Sequence, residues 1–380
     1  MTRVAVVSPE PTPYRAPLFD RIAERPDIEL TVIYAAATVA GRAWNVALRH
    51  PAVVLQAPAL PTRRLLHHDY PLTFGVWREL DRLRPECVVV AGWSVLASQL
   101  AMLWCRLHSI PYLLMLESHL LDPRPAAVRA VKRLAIPRFV RPAAGYLVTG
   151  TLAKRTVRAY GGDPARAHVF ANTIDVANFA AAIDGRRSSA RSALGFEERD
   201  VVVAYVGRFE PVKGLDTLVT ATAVASSLTE SAITLLVVGD GTLREQLRKQ
   251  AATSGVRLVE AGFREGDDLL DCYAAADVFA LLSRAEPWGV VVNEAAAAGL
   301  PLVLSERVGA AADLLRAGEN GALVPVDDVD SAAAAFAALA NDPALRSRYG
   351  KRSSEIARAW GYEPSIRAFT DAVAEAVAGR

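Results

Sequence analysis

The sequence is short of the residues that mark several functional classes. It has three cysteines, Cys87, Cys105 and Cys272, each in an apolar context and none in a CxxC spacing. That leaves no disulfide framework and no thiolate metal site, so the three read as reduced core thiols of a cytosolic protein. The six histidines show no metal-ligand spacing, and the adjacent His67 and His68 read as loop. Neither sign of charge prevails: charged residues make up 22% and the net charge is +2. This excludes a disordered chain and a generally nucleic-acid-binding one. There is no GxGxxG, which weakens a dinucleotide-dependent dehydrogenase. There is no GxxxxGK followed by Ser or Thr, which weakens a P-loop NTPase.

Long apolar runs are also scarce. The opening "MTRVAVVSPEP" is too short in its apolar run for a signal peptide and reads as a first strand. One stretch, 87–105, runs 19 residues without a charge, a length that permits a membrane span. Gly92, Ser94, Ser98 and Gln99 interrupt it. It reads as a buried strand, "ECVVVAG", followed by a helix, "SVLASQLAMLWCRLH".

What is present points to two cores. The chain has 380 residues, 52% of them hydrophobic, which suits two domains of roughly 180 residues. Short valine-rich runs alternate with helical stretches. In the first half they are "RVAVVS", "IELTVIYA", "AVVLQA", "ECVVVAG", "PYLLMLES", "GYLVTG" and "AHVFAN". In the second they are "VVVAYVG", "ITLLVVG", "VRLVEAG", "VFALLS" and "PLVLS". Most are continuous apolar runs, as in strands buried on both faces of a parallel sheet. Strand–helix repetition predicts doubly wound α/β architecture, here twice. The polar stretch 184–200 separates the halves. The expected domains are 1–183 and 198–360, with 361–380 a separate amphipathic helix.

Charge divides unevenly between the halves. Up to position 182 there are 22 Lys+Arg against 13 Asp+Glu, net +9; the remainder has 21 against 28, net −7. Between 124 and 141 six bases occur and no acid. Two readings stand: a solvated helix face, or a surface for anionic lipid or an acidic acceptor.

In an open α/β sheet, ligands bind at the carboxyl ends of strands. After "VVVAYV" comes "GRFEPVKG", with Gly207, Arg208, Lys213 and Gly214. Two cations five apart, with glycines beside them, can meet one diphosphate; they also suit two solvent-facing bases on a loop. After another strand, Gly239 and Gly241 permit a tight turn and close ligand approach. After "VFALLS", a helix is expected to start near 287–289 and to carry Val290 to Ala298. Glu286 then lies at its mouth and Glu294 about two turns on. Glycine at 289 leaves backbone N–H groups open to a ligand. Carboxylates in that setting suit hydroxyls, such as a vicinal diol of a sugar or ribose. The eight-residue spacing alone carries little, because Glu355 and Glu363 share it.

Together, "GRFEPVKG", "VVGDG", "YAAADVFALLSRAEPWGVVVNEAAAAGLP" and "NTIDVANF" resemble the retaining glycosyltransferases of family 4, of the GT-B fold. The resemblance is strong over about 200–325 and looser over 1–180. "PTPYRAPLFDRIA", "GRAW" and "LLMLES" look like one bacterial subgroup. The resemblance implies two Rossmann-like domains facing across a cleft, the first binding the acceptor and the second the nucleotide-sugar. The C-terminal helix is then expected to cross back to the first domain. Arg208 and Lys213 are implied to hold the donor diphosphate, Glu286 the hydroxyls of the transferred sugar and Glu294 the ribose. The N–H groups of Trp288, Gly289, Val290 and Val291 are implied to contact sugar and phosphate. Phe263 and Arg264 lie where the family places the base. No metal or other cofactor is implied, the two cations and the helix N-terminus taking a divalent ion's role.

The sequence departs from the family's pattern in places. "SPEPTPYR" stands where many members have a Gly-Gly loop, and "NT" at 172–173 where "NG" is usual. Tyr14 and Arg15 suit either the acceptor side or a helix cap. Glu117 and His119 suit either a place at the sugar or a structural role. The expected function is transfer of a hexose-type sugar from a UDP- or GDP-type donor. The acceptor is a saccharide, a lipid-linked sugar or a small natural-product aglycone. The expected setting is cytoplasmic, with peripheral membrane contact through 124–141 left open and no nucleic-acid partner. The rivals are a GT-B protein that binds a nucleotide-sugar without transferring it, a nucleotide-sugar epimerase of the same architecture, and an inverting transferase.

Overall fold

The computed structural model describes residues 1–37, 46–56, 73–121 and 125–379. His67, His68, the "GRAW" stretch and Arg124 lie outside the described residues. The chain forms two compact units. One comprises Met1–Asn172 and Tyr362–Arg380, the other Thr173–Gly361.

The first unit holds β1 (Thr2–Ser8), β2 (Ile28–Tyr34), β3 (Ala52–Val54), β4 (Cys87–Ala91), β5 (Tyr112–Leu116), β6 (Gly145–Val148) and β7 (Ala167–Val169). Their order is β3-β2-β1-β4-β5-β6-β7, with every pairing parallel. Alternate side chains of the central strands enter two cores. Val7, Val88, Val90 and Leu114 face one, while Val6, Val32, Val89 and Leu113 face the other. Burial on both faces explains why these strands read as unbroken apolar runs. The uncharged 87–105 run is β4 followed by the helix Leu96–His108. That helix is about 20 Å long, too short to span a bilayer. Among the described residues no helix is long and apolar enough to cross a membrane. All three cysteines are free and buried, and burial pushes the Cys272 thiol up to about 11.

The second unit holds β8 (Val201–Val206), β9 (Ile233–Val238), β10 (Arg257–Gly262), β11 (Val278–Leu281), β12 (Leu302–Ser305) and β13 (Gly321–Val324). The order is β10-β9-β8-β11-β12-β13, again all parallel. Each unit is thus a Rossmann-like domain, the pair of domains that makes up a GT-B protein. In each sheet the strand order reverses beside the first strand, between β1 and β4 and between β8 and β11. Such a switch point is where open α/β sheets bind ligands.

The units divide after Asn172 rather than near 183. The helix Val176–Ile183 packs on Gly266–Ala275 and Val290–Ala297 of the second unit. Phe179 meets Tyr273 edge-on at 5.7 Å. The helix Tyr362–Ala378 belongs to the first unit, where Ile366, Phe369, Val373 and Ala376 complete a core.

Candidate active site

In the second unit the residues singled out from the sequence lie at the carboxyl ends of four adjacent strands. Gly207, Arg208 and Lys213 follow β8, Gly239 and Gly241 follow β9, Phe263 and Arg264 follow β10, and Glu286 to Val291 follow β11. The turn Pro211–Lys213 ends at Gly214, which opens the helix Leu215–Ser227. Lys213 Nζ donates to Glu286 Oε2, and both side chains are largely buried. This pair joins the exits of the two strands that flank the switch point.

Arg208 stands apart from that pair. Its side chain is 62% exposed and its guanidinium donates to Glu210 at 2.5 Å. Its carbonyl accepts from the buried Tyr205 hydroxyl at 2.8 Å. Burial, and then the negative charges of Glu286 and Glu210, push that hydroxyl's pKa well above its ordinary value.

The loop bearing Glu286 is pinned along its backbone. Glu286 donates to the Arg307 carbonyl at 3.2 Å and accepts from Gly309 at 2.9 Å, and the Trp288 carbonyl accepts from Ala310 at 2.9 Å. A Cβ on Gly309 would lie 2.0 Å from the Pro287 carbonyl oxygen, so that loop can rest there only on a glycine. The helix Val290–Ala297 then starts from Gly289, whose φ is 91°. The first turn of a helix leaves N–H groups without intrahelical acceptors. Those of Val290 and Val291 have no carbonyl partner among the described residues. The Trp288 side chain is buried. Its indole N–H donates to Asn293 at 3.0 Å, and its ring lies 5.5 Å from that of Trp360. The indole therefore holds the helix, and only its backbone is left for a ligand.

Glu294 is partly buried and accepts from the Tyr273 hydroxyl at 2.6 Å. Burial raises its pKa to about 7, opposed by the Tyr273 hydrogen bond. A carboxyl whose pKa is higher folded than unfolded binds its proton more tightly in the fold. Its contribution to stability is then fully present below about 4.5 and is lost as pH rises through about 7. Glu294→Gln keeps the acceptor for Tyr273 and removes the titration. Its melting temperature is expected to match the parent at pH 4.5 and to exceed it at pH 8. The gap should be several degrees, at about 2–4 °C per kcal/mol. Thermal melts across that range check it, and parallel curves would refute it.

Gly239 and Gly241, both at positive φ, pack against the exit of β8. A Cβ on Gly239 would lie 2.0 Å from the Gly207 carbonyl oxygen, and one on Gly241 within 2.5 Å of that of Phe209. What approaches them is the protein's own β8 exit, so they bring that loop close. Phe263 is 75% exposed, while Arg264 donates to Asp268 at 2.9 Å and to the Ala261 carbonyl at 2.8 Å.

In the first unit, Tyr14 and Arg15 follow β1, and Glu117 and His119 follow β5. Arg15 is buried. Its guanidinium lies 4.5 Å from the Phe170 ring centroid, donates to the Phe170 carbonyl at 3.2 Å and to Glu117 at 3.2 Å. Burial lowers its pKa, opposed by Glu117. Arg15 thus holds the half-exposed carboxylate of Glu117. His119 is buried, with Nδ1 3.3 Å from the Leu121 N–H.

Reading the sequence missed Arg284, Asp216 and Asp327, which brace the Lys213 turn, and Tyr273, the partner of Glu294. Arg284 alone left a signal, a charge between an apolar strand and Glu286.

Comparison with known proteins bears on this edge of the second sheet. Residues 186–356 match the family model of the glycosyl transferases group 1. The match takes in every residue of the second-unit constellation. Among curated proteins similar to this chain, the D-inositol 3-phosphate glycosyltransferase of Kribbella flavida is 34% identical over 223 residues, 56% of this chain and 51% of that protein. The protein of that name from Streptomyces bingchenggensis is 34% identical over 272 residues, 68% of this chain and 57% of that one. The chain therefore spans little more than half the length of these relatives. Among solved structures, Anabaena HepE in complex with UDP superposes over the whole of both chains with a TM-score of 0.74 at 20% identity. Sucrose-phosphate synthase from Thermosynechococcus elongatus does so with a TM-score of 0.78 at 19% identity.

Proposed function

We propose that this chain is a retaining glycosyltransferase that moves a hexose-type sugar from a UDP- or GDP-type donor. The observation that carries this reading is the Lys213–Glu286 pair at the β8/β11 switch point, with Arg208 after the same strand. The group 1 match over the same residues supports it. Donor binding exchanges that internal pair for two external ones. The diphosphate takes the Lys213 ammonium and the Arg208 guanidinium, and Glu286 turns to the hydroxyls of the sugar. Val290 and Val291 offer N–H groups, Glu294 accepts from the ribose, and Phe263 and Arg264 border the base.

When the sugar–phosphate bond breaks, its electron pair and negative charge stay with the nucleoside diphosphate. Fixed cations there stabilise the transition state more than the ground state. The acceptor oxygen bonds to the anomeric carbon, and its proton passes to the departing phosphate. Neither Glu286 nor Glu294 then acts as a glycosidase-type acid or base. The charge balance is met by the two cations and the helix N-terminus, without a metal. Glu117, held by Arg15, is the first-unit carboxylate with a place at the sugar. Inositol phosphate is the first acceptor to assay, because the curated relatives are named for it.

A thermal-shift screen of nucleoside diphosphates and their sugars tests this reading. A ligand that binds only the folded protein adds about 2.7 kcal/mol of stability at a hundredfold excess over Kd. A UDP- or GDP-sugar is expected to raise the melting temperature by several degrees. If none does, the assignment fails.

The basic helix Ala126–Ala135 supports a peripheral membrane contact within the same proposal. No residue of it is buried, and Val128, Val131 and Leu134 are exposed beside Arg129, Lys132 and Arg133. An apolar stripe flanked by bases fits an anionic bilayer surface. Co-sedimentation with anionic vesicles at low salt is expected, and its absence would remove this part.

A further inference from the structure

We propose that Arg284 is a positioning residue that sets Lys213 for the donor diphosphate, acting through the turn that carries it. The inference rests on the donor site proposed above. Arg284 lies just after β11, two residues before Glu286. Its backbone N–H donates to the Val212 carbonyl at 2.8 Å, and Nη1 donates to the Pro211 carbonyl at 2.7 Å. Two of the three residues of the Lys213 turn thus hang from one arginine. Nη2 donates to Asp216 at 2.7 Å in the first turn of the helix Leu215–Ser227. Nε donates to both oxygens of Asp327, at 2.9 and 3.1 Å.

Asp327 sits in the left-handed region at φ 60°, where Asp is among the commoner residues other than glycine. Its carboxylate also accepts from Thr217 Oγ1 at 3.0 Å. One guanidinium therefore ties the Lys213 turn, the start of the following helix and the loop after β13 to the strand exit that bears Glu286. The planar fork of arginine can make these bonds together, and a lysine ammonium cannot reproduce their geometry. Gly214 completes the arrangement. A Cβ there would lie 2.2 Å from the Leu282 carbonyl oxygen, so the turn rests directly on the β11 exit.

The test is a double-mutant cycle read by UDP binding, with GDP in parallel, using the full chain and isothermal calorimetry. Arg284→Met is expected to weaken binding about tenfold. Lys213→Met is expected to weaken it further, and the double variant no more than Lys213→Met alone. That non-additivity is the signature of action through Lys213. A role in stability alone would leave UDP affinity unchanged in the folded Arg284→Met protein, or give effects that add, and either result overturns the proposal. Asp327→Gly guards against loss of fold. It removes one acid partner of Arg284 at a φ that glycine adopts freely, and about a threefold loss of affinity is expected. Undiminished binding by Asp327→Gly counts against the tie through Asp327. If wild-type protein binds neither UDP nor GDP, the donor site fails first. If wild type binds and Arg284→Met binds equally well, the positioning role alone fails.

Discussion

Arg208→Ala is expected to slow sugar transfer by about 10²–10³-fold while moving the melting temperature by no more than about 1–2 °C. The two effects separate because of where Arg208 lies. Its side chain is 62% exposed and its partner is the near neighbour Glu210. A surface pair of that kind contributes about 0–1 kcal/mol, so the fold hardly depends on it. A cation fixed beside the departing diphosphate, by contrast, acts where charge builds up. Initial rates with the donor found by thermal shift, set beside melts of both proteins, check this. Turnover near the parent's would remove Arg208 from the site.

Glu286→Ala should cost as much in rate, about 10²–10³-fold, but with a loss of stability as well. Its side chain is 14% exposed and that of Lys213 16%. Removing one partner leaves a largely buried ammonium unpaired, at a cost on the order of 2 kcal/mol. The double variant Lys213→Met/Glu286→Ala carries no orphaned charge. It is expected to regain most of the stability and none of the activity. Denaturant unfolding and rate measurements on the same preparations distinguish the two contributions. If the double variant lost stability as the sum of the singles, the pair would not be a unit.

The central strands, buried on both faces, announce themselves as apolar runs, and among the described strands the more exposed β3, β7 and β10 were still legible from short valine-containing runs, which makes twelve read from the sequence. The exception is β13, four residues between Asn320 and Pro325 with two of its side chains partly exposed. It is enclosed by Asn320 and Pro325, residues that read as turn. Helix starts were legible where chemistry is local, as at Gly289 before Val290–Ala297. The division after Asn172 was not, because Val176–Ile183 joins the second unit through Phe179 and Tyr273, a contact 94 positions apart in sequence. The site divides along the same line. Charges after strands could be picked out one by one. That Lys213 would pair with Glu286, 73 residues away, depends on strand order. So does the burial that lifts Glu294, whose partner Tyr273 lies on another helix. Gly239 and Gly241 were read as permitting a tight turn and close ligand approach; that the β8 exit packs against them could not be read from the sequence. Sequence gives the shape of the space and not its occupant.

The helix Tyr362–Ala378 fills a core of the first unit with Ile366, Phe369, Val373 and Ala376. This has a consequence for biosynthesis. The second unit is one continuous segment, Thr173–Gly361, and has all its residues before that helix emerges from the ribosome. The unit translated first is therefore the last that can close. Until then the side chains that Phe369 meets, Phe170 among them, lack that partner. An expressed 1–172 fragment would lack it permanently, so the useful truncation of this chain is the one that keeps residues 173–361.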